Sequence, residues 1–238
     1  MFELAPAARL TVWANALFVG ATSLDQAADR IVAGDPPHRV AGLPGENHGV
    51  AVSLALGRLR SLGVTSMRLV LPVPGDASGL PGPASFNQLA ISAGGAALCL
   101  GAPKLGLISE VRASWIVCET HPAPLTVLYL EDAERMLRHE LRASTEELLR
   151  LDVPRWQPEA ADLLADQRGA ERALPACYPP RAVQVLALAQ RLEAILAVGS
   201  QSEGAAVNAR QMAKRSQVFT RLRTAVRRAT EAACNAVG

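Results

Sequence analysis

Apolar residues recur near the start of the chain at i, i+3, i+4, i+7, i+8 and i+11: Leu10, Trp13, Ala14, Leu17, Phe18 and Ala21. That spacing lines one face of an α-helix, predicted from Pro6 to Val19. A second helix is predicted from Ser23, where Ser-Leu-Asp-Gln has the form of a capping box, to Gly34 before Pro36-Pro37. The period then shifts between two and 3.6. Arg39 to Leu43 reads as a short strand and Val50 to Leu62 as a helix ended by Gly63. Ser66 to Leu71 reads as a strand, with Met67, Leu69 and Leu71 alternating against Arg68 and Val70. Ala84 to Ala93 reads as a helix broken by Gly94-Gly95, and Ala96 to Leu100 and Ser114 to Glu119 as strands. Strands and helices alternating at this spacing predict a small, mainly parallel or mixed sheet with helices packed on it.

After His121-Pro122-Ala123-Pro124 the texture changes to helix alone. Leu130, Ala133, Leu137, Leu141, Leu148 and Leu151 share one face of a helix predicted from Leu130 to Leu151. Acids lead it, and Glu131–Arg135, Glu134–Arg138 and Glu146–Arg150 are favourable i,i+4 pairs. Three more helices are predicted: one with Pro158 in its first turn ending by Gly169, one from Pro179-Pro180 to Gly199, and a last from Ala205 to Ala236. The fold class is therefore α/β: a sheet with flanking helices over residues 1–125, followed by an α-helical bundle or cap over residues 126–238.

Composition narrows this picture. Half of the 238 residues are apolar and only 4% are aromatic, so the core is built from Ala, Leu and Val, and wholesale disorder is excluded. Arginine outnumbers lysine 22 to 2, a bias read first as nucleotide composition of the source genome. No apolar run reaches the ~18 residues of a membrane span. Glu3, a single preceding arginine and the central Asn15 argue against a signal peptide around Leu10 to Ala21. The four cysteines form no CxxC pair, and they read as free thiols of a reducing cytosol; Cys99 and Cys118 would be bridgeable only on neighbouring strands. The expectation is a soluble cytoplasmic protein without a membrane partner and without a cofactor.

The loop Pro72-Val-Pro-Gly-Asp-Ala-Ser-Gly-Leu-Pro-Gly-Pro83 is the first candidate site. In a parallel sheet, ligands bind beyond the carboxyl ends of strands, and a helix N-terminus offers free N–H groups. Gly75, Gly79 and Gly82 would admit a ligand close to the backbone, with Asp76 and Ser85 beside them. Lys104 and His121, at other predicted strand exits with Glu46, His48 and Glu119, complete the ligand-binding set; a carboxylate, a lysine and an imidazole are enough for acid–base work. The loop lacks the Gly-Lys-Ser/Thr of a P-loop and the GxGxxG of a dinucleotide fold. His38, His48, His121 and His139 form neither HxH nor HExxH, so no metal site is expected, and no GxSxG elbow occurs.

Charge supplies the second candidate. Residues 205–238 carry seven basic side chains and one acidic, whereas the preceding 204 carry 17 and 21. On the last helix Arg210, Lys214, Arg221 and Arg228 fall within a stripe of about 40°. Such a stripe is either a track for nucleic acid or a set of bundle arginines that pair with acids such as Glu140, Glu147 or Asp162. No aromatic residues interleave with it, against single-strand stacking. The favoured reading is a binding or accessory protein that recognises a partner or small ligand without catalysis. Nucleic-acid association through the last helix and an enzyme using the loops around residues 72–85 are the alternatives.

Overall fold

The computed structural model describes residues 4–110, 114–124, 128–150, 174–201 and 209–237, with backbone alone at 200, 201, 209 and 210. They belong to two compact units, one comprising Leu4–Val127 with Leu174–Pro179, the other Leu128–Ala173 with Pro180–Ala236.

Among the described residues the first unit holds four helices, α1 Pro6–Phe18, α2 Leu24–Val32, α3 Val52–Ser61 and α4 Ala84–Ala93. Its six strands are β1 Arg39–Ala41, β2 Val50–Ala51, β3 Val64–Val70, β4 Ala96–Gly101, β5 Leu105–Glu110 and β6 Ser114–Glu119, in the spatial order β2-β1-β6-β5-β4-β3. The sheet is the mixed form of the expected architecture. Only β1 and β6 run parallel; the other four pairings are antiparallel. Two strands went unread in the sequence. Val50–Ala51 merges into the helix that follows, and β5 hides behind Gly101-Ala-Pro-Lys, which looks like loop.

Alternation along the strands builds two cores. Met67, Ala97, Cys99, Leu107, Trp115 and Val117 meet Leu10, Ala14 and Leu17 of α1, Ala27 and Ile31 of α2, and Leu56 and Leu59 of α3 on one face. Val70, Ala96, Leu98 and Ile108 meet Phe86 and Ala90 of α4 on the other. Gly106 admits Phe86, since a Cβ there would stand 2.5 Å from the ring. The Ser23 hydroxyl caps α2 by accepting the Gln26 N–H at 3.2 Å, half of the anticipated capping box; the Gln26 side chain pairs with Thr22 instead. β5 lies between β4 and β6, so Cys99 and Cys118 do not sit on adjacent strands, and all four cysteines are free thiols. Burial pushes the Cys99 thiol up to about 12.

The second unit, among the described residues, consists of helices α5 Leu130–Arg150, α6 Pro180–Gln201 and α7 Ala209–Cys234, with no strand. α7 packs against both α5 and α6. Its buried seam is small and aliphatic: Val218, Leu222, Ala225, Val226 and Ala229. The helix expected between Pro158 and Gly169 lies outside the described residues. The sequence reading of apolar runs needs one correction. Among the described residues Pro180–Gly199 is long and apolar enough, at a mean hydropathy of 1.4, to cross a membrane by length and composition. Arg181, Gln184, Gln190, Arg191 and Glu193 are the polar and charged residues within that stretch.

Candidate functional site

The loop after β3 does not lie along one carboxyl edge, because a mixed sheet has none. Val70 ends β3 opposite Ala96, whereas Gly101, which ends β4, lies opposite Val64 at the other rim. The loop therefore starts from one rim and delivers Gly82 to the other. There the His121 N–H donates to the Gly82 carbonyl at 3.1 Å, and the Thr120 N–H to the Lys104 carbonyl at 2.9 Å. Three loops are tied together by two backbone bonds, and Gly82, Ser85, Lys104 and His121 share this rim. The β1–β2 loop carrying Glu46 and His48 starts at the same rim, since a Cβ on Gly42 would stand 2.7 Å from the carbonyl oxygen of Val117 in β6.

At this rim α4 begins after Pro83 with no side chain capping its free N–H groups. The Asn87 side chain instead accepts the Gly82 N–H at 2.9 Å, which fixes the approach to the helix. Gly82 needs its left-handed backbone, at φ 85°, and its missing side chain: a Cβ would meet His121 Nδ1 at 2.9 Å. Ser85, Lys104 and His121 are exposed. The Lys104 ammonium folds back on the Gly101 carbonyl at 2.8 Å.

Gly75 and Asp76 form a separate feature. Val73 and Asp76 exchange backbone bonds of 3.1 and 2.9 Å around a tight turn. Asp76 Oδ1 accepts from both the N–H and the hydroxyl of Ser78, at 3.1 and 2.6 Å. Gly79 follows at φ 86° in the crossing part of the loop. Asp76 and Lys104 of the anticipated set are thus each engaged within their own loops.

A polar cluster that the sequence reading did not single out lies under α1 and α2. The Trp115 indole N–H donates to His38 Nδ1 at 3.1 Å, and His38 Nε2 stands 3.3 Å from Asp35 Oδ2. Arg9 donates to the same oxygen at 2.7 Å. An indole N–H can only donate, so Nδ1 must accept, and the proton of the neutral ring sits on Nε2, facing the carboxylate. Arg9 first, and His38 with it, hold the Asp35 carboxyl below the usual carboxylate range. His38 is 4% exposed. Beside it an open cleft of about 440 Å³ is lined by Ala28, Asp29, Val32, Asp35, His38 and Ser53. Both ring nitrogens are engaged, so His38 positions Asp35 and Trp115 and has no lone pair left for a substrate proton. Asp35-Pro-Pro-His38 carried no motif, and its partners lie 26 and 77 residues away from it or from His38 in sequence.

On α7 the stripe divides. Arg221 reaches Glu140 at 3.2 Å and Glu147 at 2.5 Å, two of the acids named as structural partners. Those carboxylates hold the Arg221 guanidinium above its ordinary value, Glu147 most of all. Lys214 is exposed and Arg228 is half-buried with a partner of its own. The side chain of Arg210, like Asp162, lies outside the described residues. Two arginines off the stripe tie α7 to α6: Arg215 donates to the Gly199 carbonyl at 2.6 Å and Arg223 to that of Leu196 at 3.3 Å. Among the described residues no three His, Cys, Asp or Glu side chains gather as metal ligands.

An α/β unit followed by a helical unit, with these contacts in each, corresponds to two family models in tandem. Residues 7–128 match the Rv1486c-like protein N-terminal domain, and residues 131–231 match the Rv1486c-like protein C-terminal domain. The chain belongs to the Rv1486c-like family. It is 30% identical over 242 residues to "Uncharacterized protein Rv1486c" of Mycobacterium tuberculosis (strain ATCC 25618 / H37Rv), covering 82% of this chain and 83% of that protein. The same figures hold for "Uncharacterized protein MT1533" of Mycobacterium tuberculosis (strain CDC 1551 / Oshkosh). No solved structure matches the chain.

Proposed function

We propose that this protein is a binding or accessory protein that recognises a small ligand or partner without catalysis, through the rim that carries Gly82, Ser85, Lys104 and His121. The observation that supports this reading is the tying of three loops by the His121–Gly82 and Thr120–Lys104 backbone bonds. They present an uncapped helix N-terminus, a lysine and an imidazole together. Free N–H groups at a helix start favour an anionic group. Catalysis at the loop around residues 72–85 has less support, because Asp76 and Lys104 spend hydrogen bonds inside their own loops.

The test is a titration of the full chain with inorganic phosphate and pyrophosphate, followed by amide chemical shifts. Saturable shifts at Ala84, Ser85 and Phe86 are expected, weakened several-fold in Lys104→Ala and His121→Ala. Both side chains are exposed, so these changes spare the fold. Valine at Gly82 would not, given the 2.9 Å approach of His121. Shifts scattered over the surface, or unchanged by either substitution, would sink the rim as the site.

Nucleic-acid association through α7 is the weaker reading, since Arg221 already has two carboxylates. Filter binding at low and moderate salt decides it, because phosphate contacts release counterions. Tight, salt-sensitive retention of duplex DNA or RNA that is lost when Arg210, Lys214, Arg221 and Arg228 are all changed to Gln would reinstate it.

A further inference from the structure

The lone pair on His38 Nδ1 has two claimants. Trp115 of β6 holds it through the indole N–H at 3.1 Å. A proton taken from water needs the same lone pair. An indole N–H can only donate, and a charged imidazole donates from both nitrogens. Protonation at Nδ1 therefore sets donor against donor, at a place where both residues are under 5% exposed.

The groups that face His38 pull in opposite directions. Asp35, 3.3 Å from Nε2, favours a charged ring, and Asp29 of α2 adds a second carboxylate on the cleft. Arg9 of α1, bound to the same Asp35 oxygen at 2.7 Å, opposes it by like charge. Arg39, which opens β1, is turned away to the Gly49 carbonyl. α3 contributes Val52 and Ser53 to the cleft, and neither carries a charge.

His38 ends the connection between α2 and β1, in which residues 33–37 are all exposed. Among the described residues two side chains fasten that connection to the body of the unit. Asp35 is held by Arg9, and His38 by Trp115. Asp35, Pro37 and His38 also form one wall of the cleft of about 440 Å³. A proton can undo one of the two fastenings. By contrast, Asn15 of α1 binds the N–H and C=O of Met67 at 2.6 and 2.8 Å through a carboxamide, which takes up no proton.

We propose that the His38–Trp115 bond is a proton-sensitive latch: a proton at Nδ1 expels the imidazole from the indole, frees the Asp35–His38 wall and opens the cleft beside α2 and α3. The proton comes from water and returns to it, and the bond to the indole re-forms when it leaves.

Nitrogen-15 NMR of the full chain, titrated from about pH 8 to about pH 5, where imidazoles change charge, tests the latch. At the basic end His38 should carry its proton on Nε2, and the Trp115 indole proton should be protected from exchange. As Nδ1 gains its proton, the Trp115 indole signal should shift. Its protection, taken relative to the intrinsic rate, should fall by about tenfold, the order of one lost hydrogen bond. Protection in β4 and β5 should hold, which marks a local opening. His38→Gln keeps an acceptor and a donor on one uncharged side chain, so its indole signal should stay fixed throughout. A Trp115 signal that stays fixed in the wild type while His38 is protonated would overturn the proposal. So would a folded chain whose His38 remains neutral down to about pH 5, or a loss of protection throughout the first unit at once. The same shift in a folded His38→Gln chain would overturn it too, and if that variant does not fold, the wild-type titration decides alone.

Discussion

Two polar contacts of the first unit are buried and directional, whereas the ion pairs that join the helices of the second lie on the surface. Asn15 grips the Met67 backbone at 1% exposure, and Trp115 grips His38 with both residues under 5%. In the second unit Arg181 of α6 reaches Glu131 and Glu134 of α5 at 3.2 and 2.7 Å, and Arg221 of α7 reaches Glu140 and Glu147. Both arginine side chains are half exposed. A buried donor or acceptor that loses its partner bears the whole desolvation penalty, whereas an exposed ion pair returns its groups to water. One unit should therefore respond steeply to single polar substitutions and weakly to salt, and the other the reverse.

The largest effect is expected at Asn15. Asn15→Leu keeps the volume and removes both bonds to Met67, leaving a buried N–H and a buried C=O unsatisfied. At about 1–3 kcal/mol each, the loss should approach 2–6 kcal/mol in urea unfolding, with little dependence on sodium chloride. A loss of well under 1 kcal/mol would mean that water or another backbone group replaces the amide, and the contrast between the units would fail on its stronger side.

His38→Phe comes next. It fills the same space and takes the acceptor from the Trp115 indole N–H and the donor from Asp35. Asp35 keeps Arg9 and is itself half exposed, so the main cost is one buried indole N–H, about 1–3 kcal/mol. Urea unfolding monitored by near-ultraviolet circular dichroism reads both the stability and the Trp115 environment. No change in either would show that the indole had found another acceptor.

The sequence makes these two regions unequally readable. The amphipathic stripes of α1, α5 and α7 are long and periodic, so part of each core could be named: Leu10, Ala14 and Leu17, then Ala133 and Leu137, then Val218, Leu222, Ala225 and Val226 are buried as their spacing implies, whereas Ala21 is exposed and Leu130, Leu141, Leu148 and Phe219 are half-buried. The Arg221 partners were nameable for a similar reason, since acids on α5 repeat at helical spacing and long side chains reach between packed helices. The polar pairs of the first unit join residues 52 and 77 positions apart, and no local period reports such a pairing. Strand direction was hidden too. βα alternation favours parallel pairing, but Ala96 to Glu119 is a three-strand meander whose first turn, Gly101-Ala-Pro-Lys, looks like an ordinary loop. The candidate rim was partly legible. Gly82, Ser85, Lys104 and His121 do share one edge, for a reason different from the parallel sheet that proposed them, and Gly75 and Asp76 belong to a turn of their own.

The smallest effect is expected from Arg221→Gln, which releases Glu140 and Glu147 into water. Global stability should fall far less than in Asn15→Leu, and the change should be local: faster amide exchange in the second half of α5, where Thr145 to Arg150 depend on that arginine more than on buried side chains. One mole per litre of sodium chloride should mimic it in the wild type, because exposed pairs are screened. Acid should mimic the companion contact at Arg181. Glu134 has its folded pKa lowered below the ordinary 4.5, by the Arg181 hydrogen bond first and by Arg138 after it. The unfolded chain therefore binds the proton more readily. The stabilisation from Glu134 is complete above about that ordinary value and disappears as pH falls through the lower folded value. Protection from exchange at the start of α5, taken relative to the intrinsic rate, should accordingly fall on acidification below the mid-4 range, while the amide of Met67, held by an uncharged carboxamide, should follow only the intrinsic pH dependence of exchange. If α5 and Met67 loosened together with salt, with acid and with Arg221→Gln, the two units would share one cooperative transition, and the division between buried and ionic control would not describe their stability.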